Sequence, residues 1–240
     1  MREGSRIQLQ IVRRESTEAP PYLQRILYET PDPNATVATA LTDINKNPNQ
    51  KDTEGNVVTP IGWECNCLQK KCGACAMLIN NRPMLACDTK LSEYGKKGVI
   101  RVEPLKKFPV IRDLIVDRSI LQENLKTIKA WLEEPVLLKD KQYDVAYEAS
   151  RCLQCGCCLE ICPNFYAGGT FAGTAALVPV SRLLAELPRE EQKKLAKAYR
   201  EHVFEGCGKS LACRKVCPAG IDVDKLLVNS NAMAIWKKQL

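Results

Sequence analysis

Eleven of the thirteen cysteines in this 240-residue chain fall into three spaced sets. The first is Cys67-x4-Cys72-x2-Cys75-x11-Cys87. The second is Cys152-x2-Cys155-x2-Cys158-x3-Cys162, with Pro163 following. The third is Cys207-x5-Cys213-x3-Cys217, with Pro218 following. Thiolates are soft ligands that match iron in a sulfide cage. Short spacings let one loop deliver several sulfurs to one compact cluster. The first spacing is that of a plant-type [2Fe–2S] loop. The second is the bacterial cubane run, whose fourth cysteine ligates a different cluster from the first three.

The spacing assigns ligands set by set. Cys67, Cys72, Cys75 and Cys87 would hold the [2Fe–2S] centre, with Gly73 tolerating a tight backbone between them. Cys152, Cys155 and Cys158 would share a [4Fe–4S] cubane and send Cys162 to its neighbour. By the same logic Cys217 returns to complete the first cubane, and Cys207 with Cys213 joins Cys162. A full repeat of the run would place a cysteine at position 210, where the chain has Ser210. Three thiolates favour [3Fe–4S], and a serine oxygen holding a fourth iron is the alternative. Cys65 and Cys157 are left over and read as small buried residues, with Cys65 also a competitor for the place of Cys67.

Other chemistries lack their residues. The single histidine, His202, provides no pair for a Rieske centre or a bis-histidine haem, and no Cys-x2-Cys-His attaches haem covalently. His202 reads as a surface or interface residue. Gly208-Lys209-Ser210 resembles the end of a phosphate loop, but the leading glycine would fall at Val203. No Gly-x-Gly-x-x-Gly opens a helix, so no flavin or nicotinamide site is expected here.

The elements that must position these thiols differ between the two halves. Arg6 to Arg14 alternates apolar and polar residues as a half-buried strand does, and Tyr22 to Glu29 follows as a second strand. Thr36 to Ile44 reads as a helix capped by Asn34, and 45–59 as a loop. Ala76 to Ile79 and Pro83 to Ala86 read as a hairpin turning through Asn80, Asn81 and Arg82, with Val99 to Val102 a further strand. This is a β-grasp pattern. The second half predicts helices over Asp113 to Trp131, Val180 to Leu187, Glu190 to Val203 and Asp222 to Lys238, alternating with cysteine turns. The expected fold class is α+β: a β-grasp [2Fe–2S] domain over 1–106 and an all-helical bacterial-ferredoxin-like domain over 107–240, joined where Pro104 and Pro109 interrupt the pattern.

Composition agrees with a folded soluble protein, at 45% hydrophobic and 26% charged residues. Met1 to Gln10 has no apolar core, so no signal peptide is expected, and dense cysteine in a reducing compartment reads as metal-binding rather than disulfide. Ile161 to Ser181 is free of charge and long enough to span a bilayer. Its Pro163, Gly168, Gly169, Gly173 and Pro179 instead predict a turn-rich segment buried in protein or facing another subunit. A net charge of +7 fits an anionic partner, a membrane surface or an acidic subunit. The basic residues are scattered without interleaved aromatics, so no nucleic acid is expected.

A [2Fe–2S] set followed by a split pair of cubane sets, the last one short of a cysteine, resembles the iron–sulfur subunit of succinate dehydrogenase and quinol:fumarate reductase. Cys72-Gly-Ala-Cys-Ala, Cys155-Gly-Cys-Cys-Leu-Glu and Cys217-Pro-Ala-Gly-Ile match its pattern, over nearly the whole chain. The resemblance implies an electron-transfer subunit without a catalytic acid or base. It implies a flavoprotein partner carrying FAD, and an anchor partner of the membrane cytochrome b type with quinone, with or without haem b. It also implies a peripheral place on the cytoplasmic face of the cell membrane. Electrons would pass singly through [2Fe–2S], [4Fe–4S] and [3Fe–4S] in that order. Ubiquinone-using members carry a His after the first cysteine of the third set and a Trp beyond the Cys-Pro of the second. Gly208 and Asn164-Phe165-Tyr166-Ala167 stand there instead, which resembles the menaquinone-linked branch. Pro163, Phe165, Tyr166 and Gly208 are the expected quinone-proximal residues. Trp63-Glu64-Cys65-Asn66 replaces the family's usual Arg and Ser before the first ligand. Two other readings are a soluble, thiol-linked fumarate reductase subunit, whose usual additional C-terminal cysteine-rich domain is not expected here, and an iron–sulfur sensor or zinc-stabilised interaction module.

Overall fold

Strand β1 (Ser5–Arg13) turns Ile7, Leu9, Ile11 and Arg13 inward, and β2 (Tyr22–Thr30) answers with Gln24, Ile26, Tyr28 and Thr30. The two pair antiparallel, Ser5 opposite Thr30 and Arg13 opposite Tyr22, so period-2 alternation buries one continuous face. These elements come from a computed structural model that describes residues 5–94, 98–137 and 143–236. The chain divides into two compact units, Met1–Asp117 and Arg118–Leu240.

In the first unit, α1 (Val37–Lys46) follows β2, then β3 (Ala76–Ile79), β4 (Arg82–Leu85) and β5 (Val99–Glu103) complete a five-stranded sheet of order β2-β1-β5-β3-β4. β1 and β5 run parallel and every other pairing is antiparallel. Val37, Ala38, Ala40, Leu41 and Ile44 of α1 are buried. The cap of α1 is Thr36, not Asn34. The Thr36 hydroxyl accepts from the Thr39 N–H at 3.2 Å, and the Thr39 hydroxyl accepts from the Thr36 N–H at 3.1 Å, a reciprocal box that Asn34 stands too far upstream to make. The β3–β4 turn has two residues rather than three. Asn80 (φ 47°) and Asn81 (φ 63°) are both left-handed, as the twist-matched hairpin turn requires.

The helix predicted from Asp113 is corrected. Residues 110–116 form a small hairpin, β6 (Val110–Arg112) and β7 (Ile115–Val116), with Asp113 left-handed at φ 46°. Asp113 is held there by Arg13, whose Nε donates to its Oδ1 at 2.9 Å, and by the Gly62 N–H, which donates to its Oδ2 at 2.7 Å. These bonds place the hairpin in the first unit, so the division falls after Asp117 rather than at residue 106.

The second unit is helical: α2 (Ser119–Ile128), α3 (Tyr143–Ser150), α4 (Cys157–Ile161), α5 (Thr174–Glu186), α6 (Arg189–Tyr199), α7 (Ala212–Val216) and α8 (Val223–Ala234). A π-turn over Arg200–Phe204 extends α6. The residues around 237–238, predicted as the end of the last helix, lie outside the described residues. The core joins Leu177, Val180 and Leu184 of α5 to Leu195 and Tyr199 of α6 and to Leu226 of α8. The charge-free segment contains turns over 163–169 and then the first half of α5, which is largely buried. Among the described residues no helix is long and apolar enough to cross a membrane.

Candidate functional site

The first cysteine set sits on the loop between α1 and β3 and on the 3-10 turn Ala86–Asp88 just after β4. Leu68 (φ 53°), Lys70 (φ 60°) and Gly73 (φ 76°) are left-handed. That curl turns successive N–H groups toward sulfur, forming a nest. The Gln69 and Lys71 N–H groups donate to Cys67 Sγ at 3.3 and 3.4 Å, and the Lys70 N–H donates to Cys87 Sγ at 3.3 Å. The Gln69 and Lys71 bonds, with one from the Cys72 thiol, draw the Cys67 thiol down to about 7. Burial pushes the Cys75 thiol up to about 12, with Cys87 hydrogen-bonded beside it. The Ala86 N–H donates to the Cys75 carbonyl at 3.0 Å, tying β4 to the loop. Cys67, Cys72, Cys75 and Cys87 are thus brought together, while Cys65 is exposed rather than buried. It lies on the outer approach of the loop, where Glu64, Cys65 and Asn66 all face solvent.

In the second unit, Cys152, Cys155, Cys158 and Cys217 line one cavity, with Ala175, Val178, Pro218, Ile221 and Val223 as apolar walls. Gln154 (φ 48°) and Gly156 (φ 86°) bend the chain between the first two thiols and the start of α4. The Gln154 side chain donates to Cys152 Sγ at 3.2 Å and to the Ala175 carbonyl at 2.9 Å. The Cys157 thiol donates to the Cys155 sulfur, drawing Cys155 down to about 7. Cys157 itself is completely buried, as its small apolar character predicts. Burial raises the Cys158 thiol well above its ordinary value.

Cys162 caps α4, Cys207 follows the π-turn, and Cys213 lies on α7, which packs against α4. Burial raises the Cys213 thiol; the Thr174 hydroxyl donates to it, and Cys162 and Cys207 lie close enough to add to the rise. Cys213 also lines the cavity of the preceding set, so the two groups of thiols share a wall. Ser210 is exposed, between left-handed Lys209 and Leu211. Its hydroxyl accepts a long contact of 3.5 Å from the Ala212 N–H.

Pro163 and Tyr166 are exposed, whereas Phe165 is turned into the interior at 3% exposure. The Asn164 side chain donates to the Gly206 carbonyl at 2.8 Å and abuts Gly208, where a Cβ would meet Asn164 Nδ2 at 3.1 Å. Asn164 thus bridges the segments carrying Cys162 and Cys207. His202 Nδ1 lies 3.0 Å from the Thr170 carbonyl. Gln154 and Thr174 were not marked by sequence, while Asn164 stood in the segment that departs from the ubiquinone-using pattern. Gln154, lying inside a cysteine run, gave a local signal.

Soft donors, N–H groups aimed at sulfur and apolar walls all fit iron–sulfur clusters. Among the described residues no three His, Cys, Asp or Glu side chains close on a point that would hold a single metal ion. Comparison with known proteins bears on the same regions. Residues 8–123 match the 2Fe-2S iron-sulfur cluster binding domain, and 148–221 match the 4Fe-4S dicluster domain. The succinate dehydrogenase iron-sulfur subunit of Bacillus subtilis is 36% identical over 235 residues, covering 92% of this chain and 89% of that one. The chain belongs to the succinate dehydrogenase/fumarate reductase iron–sulfur subunit family.

The fumarate reductase iron-sulfur subunit of Haemophilus influenzae is 32% identical, covering 68% of this chain and 70% of its own length. An uncharacterized iron-sulfur protein of Methanocaldococcus jannaschii is 35% identical over 82% of this chain, which spans only 38% of that protein. Among solved structures, a chain of the Mycobacterium smegmatis Sdh1 complex superposes with a TM-score of 0.78 at 24% identity, covering 98% of each chain. That likeness carries the fold. This chain thus carries a 2Fe-2S cluster binding domain followed by a 4Fe-4S dicluster domain.

Proposed function

We propose that this chain passes single electrons between a flavoprotein subunit, whose FAD acts on succinate or fumarate, and menaquinone at a membrane anchor subunit. The groups it would hold are [2Fe–2S] on Cys67, Cys72, Cys75 and Cys87, [4Fe–4S] on Cys152, Cys155, Cys158 and Cys217, and [3Fe–4S] on Cys162, Cys207 and Cys213. Such clusters take up and release one electron at a time at potentials set by their surroundings. The protein's part is to hold the thiols, to aim N–H donors at their sulfurs and to exclude water with Ala175, Val178 and Ile221.

The observation that carries this reading is the incomplete third set. Cys162, Cys207 and Cys213 are neighbours, and the hydroxyl at the place of a fourth thiolate is exposed and engaged with its own turn. Three thiolates fit a three-iron cluster. The quinone-proximal surface is proposed around Pro163, Tyr166 and Gly208. Phe165 supports it from beneath, and the anchor docks there at the cytoplasmic face of the membrane.

The test is iron and sulfide analysis with electron paramagnetic resonance on the complex purified under anaerobic conditions. About nine irons and about ten sulfides per chain are expected from the three cluster types, with a three-iron signal in the oxidised sample. Four-iron stoichiometry at the third set, or zinc in place of iron, would overturn the reading.

A further inference from the structure

Two groups that belong to no cysteine ligand set converge on Cys155. Arg118 stands at the entry to α2, and its Nη1 donates to the Cys155 carbonyl at 3.4 Å. The Cys157 thiol, completely buried, donates to the Cys155 sulfur. Cys155 is itself only 8% exposed. A guanidinium stays charged at every pH the protein meets, and Arg118 is half-buried, so water screens it less than a surface cation. Burial lowers its proton affinity, and negative charge on Cys155 acts against that lowering.

A cluster gains one negative charge when it is reduced. A fixed positive charge close by therefore favours the reduced form and raises the potential, as does a hydrogen bond to a ligand sulfur. We propose that Arg118 sets the reduction potential of the centre held by Cys152, Cys155, Cys158 and Cys217, through its charge beside Cys155. This rests on the reading that those four thiols hold a four-iron cluster. Arg118 lies in sequence well outside the cysteine run, so ligand spacing gives no sign of it.

The experiment is a potentiometric titration of the purified complex, followed by electron paramagnetic resonance, on wild type, Arg118→Gln and Arg118→Lys. In the glutamine variant the equilibrium constant for reducing the four-iron centre falls about tenfold, a downward shift of about 59 mV for a one-electron couple. The lysine variant stays within about threefold of wild type, and the midpoints of the other two centres do not move. An unchanged midpoint in Arg118→Gln overturns the proposal, as does an equal fall in both variants, which would assign Arg118 to packing rather than charge. If the glutamine variant does not retain the centre, the lysine variant decides alone, since a tenfold fall there overturns the proposal and a midpoint within threefold supports it. A wild-type complex without any four-iron signal would instead overturn the underlying ligand reading.

Discussion

Replacing Asp113 by alanine removes one half of a buried ion pair, and the structure gives the size of the loss. Asp113 and Arg13 are 2% and 3% exposed. Asp113 Oδ1 accepts from Arg13 Nε at 2.9 Å and from the Arg14 N–H at 3.0 Å, while Oδ2 accepts from the Gly62 N–H at 2.7 Å. Arg13 also donates to Gln24 at 2.5 Å and to the Thr59 hydroxyl at 3.2 Å. The alanine variant leaves a guanidinium buried without its counter-charge, which costs about 3–5 kcal/mol. That is a large part of the roughly 5–15 kcal/mol that holds a domain folded. With a urea dependence of ~2 kcal/mol per M, the unfolding midpoint of the first unit falls by about 2 M. The assay is urea unfolding of the whole protein, followed by the visible dichroism of the [2Fe–2S] centre. The Gly62 N–H anchors the segment leading to Cys67, so this centre is lost with the unit. A midpoint within about 0.5 M of wild type would refute the assignment of Arg13–Asp113 as the tie between β1, the cysteine-loop approach and the β6–β7 hairpin, given the same dependence.

The same carboxylate gives a pH prediction. Burial raises its proton affinity, but the Arg13 guanidinium and the Gly62 and Arg14 N–H groups outweigh that and hold it below the usual carboxylate range. Its stabilising contribution is therefore complete above about pH 4, the unfolded value, and is lost as pH falls through the lower folded value. Asp113→Asn flattens this part of the acid-unfolding slope below about pH 4. An unchanged slope would contradict it. Ser210→Cys supplies a thiol at the incomplete set and is expected to convert the proposed three-iron signal to that of a four-iron cluster, read in the oxidised and reduced spectra; persistence of a three-iron signal counts against the proposed ligand set Cys162, Cys207 and Cys213. At Gly173 (φ +69°) a Cβ would meet Leu159 Cδ2 at 2.4 Å. Gly173→Ala therefore combines backbone strain with overpacking, and destabilises the second unit by about 2–4 kcal/mol in thermal unfolding, whereas a loss under about 0.5 kcal/mol is inconsistent with that packing. Asn164→Ala forfeits the bond to the Gly206 carbonyl, worth about 1 kcal/mol, and raises the apparent KM for quinone more than it lowers electron flow to a soluble acceptor; equal effects on both would separate Asn164 from the quinone-side surface.

What the sequence disclosed and what it hid divide along range of interaction. The three cysteine sets are local, because within each run the spacing of the cysteines that share a cluster is dictated by how far one loop can reach around it. The alternation of β1 and β2 is local too, since a strand shows its buried face every second residue. Asp113 shows the opposite case. From sequence, Leu114, Ile115, Ile120, Leu121, Leu125, Ile128 and Trp131 read as one helical stripe, but the partner that decides the conformation of Asp113 is Arg13, a hundred positions away. The helix accordingly begins only at Ser119. Cys65 fails for a related reason, because a cysteine's usual burial says nothing about which side of a loop faces the cluster. Gln154 and Thr174 each make one decisive contact with a sulfur and have no periodic pattern to betray it.

The same distinction explains why the ligand geometry is read more securely than the potentials. A cluster's identity follows from the count and spacing of thiolates, which the chain writes in three short runs with Cys162 and Cys217 exchanged between the last two. Its potential follows from charges and donors that folding brings in from elsewhere: N–H groups of Gln69 and Lys71 at Cys67, an amide at Cys152, a thiol at Cys155 and a hydroxyl at Cys213. No two of the three thiol groups receive the same set of donors. For the electron carrier proposed above that asymmetry matters, because clusters with identical surroundings would differ only by cluster type. The sulfur environments, rather than the thiolates themselves, are therefore where substitutions will shift electron distribution among the centres without dismantling any of them.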